Sequence, residues 1–513
     1  MKKQRIKEKI GLHPVMFLLI LCLIVIVVSG ILSFFDVQAT YNKVSSITGD
    51  YQATTEAVVS LFSLSGLKYI FTSTVANFAN FAVLSNLLII LIGIGIMVKS
   101  GFLKTVITLM TKRVKKNTVT FVLVLICILA SIIGDLAYVI FIPLSALLFL
   151  YGKRSPMIGI ITSFAALTCG SGISLFLTSI DSSLLSMTLT NAHILSGDYS
   201  ISSFGYIIIM PILIIVLSLI ITYISENIIT KKVPKYDFPE EDIEDELVMT
   251  KKKMRGLLLA GGAGFVYLLI FIYNIIPGLP FSGNLLDYSQ ELYIDKLFSY
   301  NSFFSNGFVF VVAVLFVILG LFYGIGAKTI TNNKEFIDSL GHSLNGIGKI
   351  IVMIFAVSIF INIFKYSNIG GVITAALANL INSSNFGGLP ILILLFIAAV
   401  LSSIFLPNPL NNWSIMSATI PTLMQVGVSA EFAQLTFRLG NAVSIGLTPV
   451  FAYFIVYIAF LANYNQSNKA VTMGEAIKFQ LPFAIISFIT FLIFIIIWYI
   501  LGAPLGIGTS VAF

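Results

Sequence analysis

The chain has 513 residues, of which 58% are hydrophobic and 10% charged, and its mean hydropathy is +1.01. A soluble domain carries roughly 25% charge, so this composition excludes an ordinary water-soluble protein. The net charge of +8 does not point to nucleic acid, because the basic residues cluster between long apolar runs, as they do in membrane loops.

Those runs recur from end to end and predict an all-α polytopic membrane protein. A β-barrel would read instead as short alternating segments. Taken in order, full spans are expected near 14–35, 77–98, 118–150, 204–228, 257–276, 304–326, 347–366, 442–462 and 481–501. The opening MKKQRIKEKIGLHP and the run behind it resemble a signal peptide. The run is too long for one and no small-residue cleavage site stands out, so it reads as an uncleaved first span. Residues 54–72 are less apolar and read as an amphipathic surface helix. Two further apolar regions, 156–190 and 390–425, are long but interrupted. Cys22, Cys127 and Cys169 all sit in apolar stretches and form neither a disulfide framework nor a metal-ligand spacing.

Charge tests this order. With a cytoplasmic N-terminus, the inside loops are 1–13, 99–117, 229–256, 327–349 and 463–480, and they hold 23 of the 30 Lys and Arg. That asymmetry follows the positive-inside rule. It requires the two interrupted regions each to enter and leave on one side, as re-entrant hairpins, or to cross twice, and nine crossings leave the C-terminus outside. The hydrophilic insert 229–256 has seven basic and seven acidic residues and reads as a charged cytoplasmic linker. It divides the chain into a first transmembrane half, 1–228, and a second, 257–513. Each half has a long span, an interrupted segment and another span, a pattern that suits an inverted-repeat transporter.

The interruptions carry polar chemistry at membrane depth. In SFAALTCGSGISLFLTSIDSSLLSMT (163–188), Gly170 and Gly172 lie among small polar residues that include Ser174. A turn there would leave open backbone, tolerated only where protein buries it or it lines a cavity. Asp181 follows. Asp135, in ASIIGDLAYVIFIP, is the other deep carboxylate. An acid at such depth is costly unless paired or solvated, so both are candidates for proton or ion coupling. Asp181 has a structural alternative as a helix cap, and Asp135 one as support for a broken helix. In SSIFLPNPLNNWSIMSA (402–418), Pro407 and Pro409 break the helix. Asn408, Asn411 and Asn412 can serve freed backbone or a solute, and Trp413 offers a flat ring for stacking or an interfacial anchor. In TFRLGNAVSIGLTPVFAYF (436–454), Arg438 can grip a carboxylate in a bidentate fork or snorkel to headgroups. Asn441 lies one turn along the same face, and Gly440, Gly446 and Pro449 loosen the helix.

These stretches resemble the p-aminobenzoyl-glutamate transporter (AbgT) family. The similarity runs through NNWSIMSATIPTLMQVGVSAEFAQLTFRLGNAVSIGLTPVFAYF, FKYSNIGG (364–371), HPVMFLLILCLIVIVVSGILS, GIGIMVKSGFL, GDLAYVIFIPLSALLFL and the 163–188 segment, in order over nearly the whole chain. The resemblance implies nine transmembrane helices plus two re-entrant hairpins in a bowl-shaped homodimer. It implies roles for Asp181, Trp413, Arg438 and Pro449. Family members are described as importers of p-aminobenzoyl-glutamate or as proton-driven exporters of sulfonamide antimetabolites. Several positions depart from the family pattern: Asn441 replaces its acid after Arg-Leu-Gly, Asn412 its lysine before Trp413, Ser174 its hairpin asparagine, Ala430 its proline and Val98 a glutamate.

The expected function is therefore an ion-coupled secondary transporter of small organic anions, in the plasma (inner) membrane, driven by H⁺ or Na⁺ and using no cofactor. The alternative is a proton-driven efflux pump for sulfonamide-type compounds. A channel is a more distant alternative, since two hairpins in one chain suit alternating access better than a pore ring. An enzyme is not expected: His13, His193 and His342 are scattered, and there is no HExxH, GxSxG or nucleotide-binding motif.

Overall fold

The computed structural model describes residues 11–44, 50–175, 178–202, 205–238, 249–291, 293–298, 302–467 and 469–513. The middle of the charged linker, 239–248, and the basic start, 1–10, lie outside the described residues.

The chain is helical nearly throughout. Helix α1 (Pro14–Phe34) starts where His13 accepts a hydrogen bond from the Val15 amide and Pro14 takes the first helical position. It leads into an antiparallel hairpin, β1 (Gln38–Val44) and β2 (Tyr51–Ala57), with Tyr41 opposite Thr54. Next come α2 (Leu64–Ala79), α3 (Ala82–Lys99), α4 (Phe102–Arg113), α5 (Lys116–Leu129) and α6 (Leu136–Tyr151). Helices α7 (Pro156–Cys169) and α8 (Ser179–Ala192) follow, then α9 (Ile209–Ile224), which continues through a π-helical turn. After the linker come α10 (Lys251–Ile275), α11 (Phe308–Ala327), α12 (Asn333–Gly341), α13 (Gly348–Ser367) and α14 (Ile369–Asn382). The chain ends with α15 (Gly388–Phe405), α16 (Pro409–Met416), α17 (Ile420–Gln425), α18 (Ala430–Ser444), α19 (Phe454–Asn463) and α20 (Met473–Leu501).

Among the described residues, nine helices are long and apolar enough to cross a membrane. Their number is the one expected, but their membership differs. The expected span 118–150 breaks at Gly134 and Asp135 into α5, a 3₁₀ turn and α6. Gly134 sits at φ +58° and ψ −138°, which only glycine adopts readily. The expected span 442–462 breaks between Thr448 and Tyr453, leaving α19 with ten residues, too few to cross. By length and apolar composition the ninth such helix is α15, 18 residues long, in a region read from sequence as interrupted.

The amphipathic helix expected at 54–72 is corrected more fully. Its first residues are strand β2, and its last belong to α2, which runs almost in line into α3. Threonine and tyrosine favour a pleated strand over a helix here. Tyr41 and Val44 are buried, while most other residues of the hairpin are exposed or half-buried.

Both halves show the same order: helix, break, helix, short turn, helix, break, helix. In the first half this is α5, Gly134–Asp135, α6, α7, the break that opens at Gly170 and α8. In the second it is α13, Asn368, α14, α15, the 406–408 turn and α16. Helix α18 is buried along its entire length and packs on α15, α8, α7 and α20.

Candidate functional site

Helix α18 is unusual because its buried surface is polar: it carries Glu431, Gln434, Thr436, Arg438, Asn441 and Ser444. A helix of this character inside an apolar bundle needs a partner for each group. Arg438 and Asn441, one turn apart on one face, find theirs in the two breaks.

Arg438 reaches the first break. Its Nη2 donates to the Ser171 carbonyl at 2.6 Å, an acceptor freed because α7 ends just before it. Its Nε lies 3.3 Å from Asp181 Oδ1, as an ion pair without hydrogen-bond alignment. Gly172 permits the approach, since a Cβ there would sit 2.7 Å from the Arg438 carbonyl oxygen. The other oxygen of Asp181 accepts from the Thr178 amide at 3.3 Å and from its hydroxyl at 2.7 Å, and Thr178 Oγ1 accepts from the Asp181 amide at 3.1 Å, closing a capping box on α8. Sequence reasoning gave Arg438 to the solute and Asp181 to coupling, with capping as an alternative for Asp181. The structure joins the two residues to each other and gives Asp181 the cap as well. Ser174 lies half-buried in the same turn.

Asn441 reaches the second break. Its Nδ2 donates to Ser403 Oγ at 2.8 Å and to the Pro407 carbonyl at 3.1 Å. Asn412 completes this closure: its amide nitrogen donates to Ser402, Ser403 and the Leu406 carbonyl at 2.9–3.1 Å. Asn408 Oδ1 caps α16 by accepting from the Leu410 and Asn411 amides. Asn412 is thus fully buried structural support, whereas Asn411 is exposed on a cavity wall.

Trp413 is also fully buried. Its indole N–H donates to Thr188 Oγ1 at 3.0 Å, and its ring packs on Phe437 at 4.5 Å. Thr188 in turn donates to Gln434 at 2.6 Å. The ring expected to stack on a solute, or to anchor at the membrane interface, instead fastens α16 to α8 and α18 and has no accessible face. Pro449 lies in the non-helical stretch before α19, and the next four residues, 450–453, line the large cavity described below.

Three buried polar atoms around the Arg438–Asn441 face have no hydrogen-bond partner: Ser171 Oγ, Arg438 Nε and Asn441 Oδ1. All three residues line one small cavity of about 40 Å³, together with Ser131, Asp135 and Thr178. That is room for one or two waters or an ion. Asp135, Ile180, Pro409 and Ile445 also line a second cavity of about 540 Å³, large enough for a small organic molecule. Asp135 is exposed and lines both spaces. Ser131 Oγ donates to the Ile173 carbonyl at 2.7 Å, tying the Gly134–Asp135 break to the turn after α7. Among the described residues, no group of three or more His, Cys, Asp or Glu is placed to hold a metal ion.

Sequence reasoning missed the outer wall of the large cavity. It includes Tyr41, Lys43, Thr54 and Glu56 from the β-hairpin and Lys365 and Asn368 from the α13–α14 break. Asn368, at φ +54°, donates to Glu56 Oε2 at 2.7 Å and to the Ala57 carbonyl at 3.2 Å, pinning the hairpin to the bundle. The signal was present as Asn-Ile-Gly-Gly in FKYSNIGG, since asparagine tolerates the left-handed conformation better than most residues.

The profile of the AbgT transporter family matches residues 4–513. The chain belongs to the AbgT transporter family. It is 25% identical over 506 residues to the p-aminobenzoyl-glutamate transport protein of Escherichia coli strain K12, covering 98% of this chain and 95% of that one. Among solved structures it is similar to the YdaH transporter of Alcanivorax borkumensis, at 24% identity and a TM-score of 0.48, covering 96% of this chain and all of that one. It is also similar to Neisseria gonorrhoeae MtrF, described with a class of antimetabolite efflux pumps, at 26% identity, a TM-score of 0.49 and 97% coverage of both chains. The AbgT-family protein is therefore a multi-pass membrane transporter.

Proposed function

We propose that this AbgT-family protein is an ion-coupled secondary transporter of small organic anions, with p-aminobenzoyl-glutamate as the leading candidate. The observation that carries the reading is the Arg438–Asp181 pair at the junction of two broken helices, beside two unpartnered oxygens, Ser171 Oγ and Asn441 Oδ1, and next to a 540 Å³ cavity that Asp135 also lines.

In this reading the broken segments α7–α8 and α15–α16 are equivalent elements of an inverted repeat, with α18 holding both. The N-terminus is cytoplasmic, the β-hairpin lies on the outer face of the plasma membrane, and the large cavity is an outward vestibule. A solute carboxylate competes with Asp181 for Arg438, because guanidinium prefers a planar two-oxygen partner and Nε is poorly aligned in the resting pair. Released Asp181, or Asp135, which lines both cavities, then takes H⁺. Alternatively, Na⁺ binds at the small cavity, where Asn441 Oδ1 and Ser171 Oγ are oxygen donors without partners. Asn412 and Trp413 keep the second break and its neighbours rigid. The family resemblance adds a homodimer as the working assembly.

The test is flux into proteoliposomes of the full chain, with p-aminobenzoyl-glutamate, sulfonamides, dicarboxylates and dipeptides offered in turn under imposed H⁺ and Na⁺ gradients. Saturable, gradient-dependent movement of an anion, lost in Arg438→Ala with protein still in the membrane, is expected. Wild-type flux by that variant rejects the reading.

A further inference from the structure

A second polar cavity lies away from the transport site, at the end of the bundle where α4 joins α5 and α6 joins α7. It has a volume of about 280 Å³ and includes Lys112, Lys116, Lys153 and Arg154 in its lining, with no acidic side chain. The four cations come from three places: the end of α4, the start of α5 and the α6–α7 turn. The rest of the lining is largely apolar and includes Val119, Leu148 and Phe149. A basic rim over an apolar floor, between helices at a membrane boundary, matches a phospholipid, which carries a phosphate above acyl chains.

Two further features separate this cavity from an ordinary solvated loop. Arg154 is already committed. Its Nη2 meets Glu226 Oε1 at 2.6 Å, its Nη1 donates to Thr120 Oγ1 at 2.9 Å, and its guanidinium lies 4.2 Å from the centre of the Phe149 ring. Glu226 is thereby spent on Arg154. Among the described residues, no ion pair neutralises Lys112, Lys116 or Lys153, so three positive charges face one pocket. Lys153 also holds φ +57° at the end of α6, where its amide and that of Arg154 close the helix onto the Leu150 and Phe149 carbonyls. Glycine is the usual residue at such a left-handed cap. A lysine there strains the backbone and adds charge to the pocket.

We propose that this cavity binds the phosphate headgroup of an anionic membrane lipid. The bound lipid braces α4, α5 and the base of α7, which starts at Pro156 directly after the basic turn. The site is independent of the transport reading, because none of its residues touches the Arg438–Asp181 junction.

The test is a melting-temperature titration of the full chain in neutral detergent with dioleoyl-phosphatidylglycerol, dioleoyl-phosphatidylcholine or inorganic phosphate at matched ionic strength. Saturable stabilisation by the phosphatidylglycerol alone is expected. Lys153→Gly should raise the melting temperature without lipid and weaken the phosphatidylglycerol response about five-fold, the equivalent of ~1 kcal/mol for one basic residue near an anionic surface. The combined K112Q, K116Q and K153Q variant should abolish the response. Should that variant fail to fold, Lys153→Gly alone decides, because it separates lipid binding from backbone strain. Equal stabilisation by phosphatidylcholine, an unchanged phosphatidylglycerol response in Lys153→Gly, or an equal effect of inorganic phosphate would overturn the lipid assignment.

Discussion

The two breaks that flank α18 solve one problem with different chemistry. At the first, the freed Ser171 carbonyl is met by a guanidinium, and the following helix is capped by the carboxylate paired with it. At the second, the freed Leu406 and Pro407 carbonyls are met by the amides of Asn412 and Asn441, with Ser402 and Ser403 bridging. Amides and hydroxyls change neither charge nor protonation near neutral pH, so the second closure is fixed. A charged pair can be opened by a competing anion or a proton. In the proposed mechanism the first break is the switch, and the second is the frame against which it works.

Substitutions can break that contrast, and the largest effect belongs to the charged side. Arg438→Ala leaves Asp181 and the Ser171 carbonyl without their partner. It should abolish flux and cost ~3–5 kcal/mol of stability, as breaking a buried pair does; melting in detergent and proteoliposome uptake check both, and a silent phenotype removes the switch. On the amide side, Asn412→Leu strands the Leu406 carbonyl and takes one partner each from Ser402 and Ser403, which keep the Ala399 carbonyl and Asn441. A loss of ~2–3 kcal/mol is expected, with the substrate KM of surviving protein unchanged. An altered KM without destabilisation would place Asn412 on the solute instead. Trp413→Phe removes one buried hydrogen bond to Thr188 and should cost ~1 kcal/mol while leaving the ranking of aromatic and aliphatic substrates as it was. A changed ranking would return Trp413 to a stacking role. Asn411→Ala, on the cavity wall, should shift stability by less than ~0.5 kcal/mol and raise KM a few-fold. An unchanged KM takes the large cavity out of the substrate route.

Much of this was legible in the residues. The broken stretches at 163–188 and 402–418 announced themselves through Gly170, Gly172, Pro407 and Pro409, because these residue types act on their own backbone. Arg438, Asp135 and Asp181 stood out because charge at membrane depth is expensive wherever it lies. What could not be read was pairing across distance. Nothing local says that the partner of Arg438 is Asp181, or that Trp413 spends its N–H on Thr188, since those contacts join segments far apart in the chain. The β-hairpin was lost for a related reason: β2, with Thr54 and Glu56, is too short a pattern to outweigh a helical reading of 54–72 until α14 packs against it. The division of the chain at 229–256 falls partly on residues outside those described.

The central claim is that a solute carboxylate displaces Asp181 from Arg438. Equilibrium binding of radiolabelled p-aminobenzoyl-glutamate to Asp181→Asn and Arg438→Ala, each paired with gradient-driven uptake, tests it most directly. Asp181→Asn should bind the anion as tightly as the unaltered protein or more so, yet fail to accumulate it, while Arg438→Ala should lose both. Unchanged binding to Arg438→Ala, or binding lost in Asp181→Asn while the protein stays folded, would contradict it.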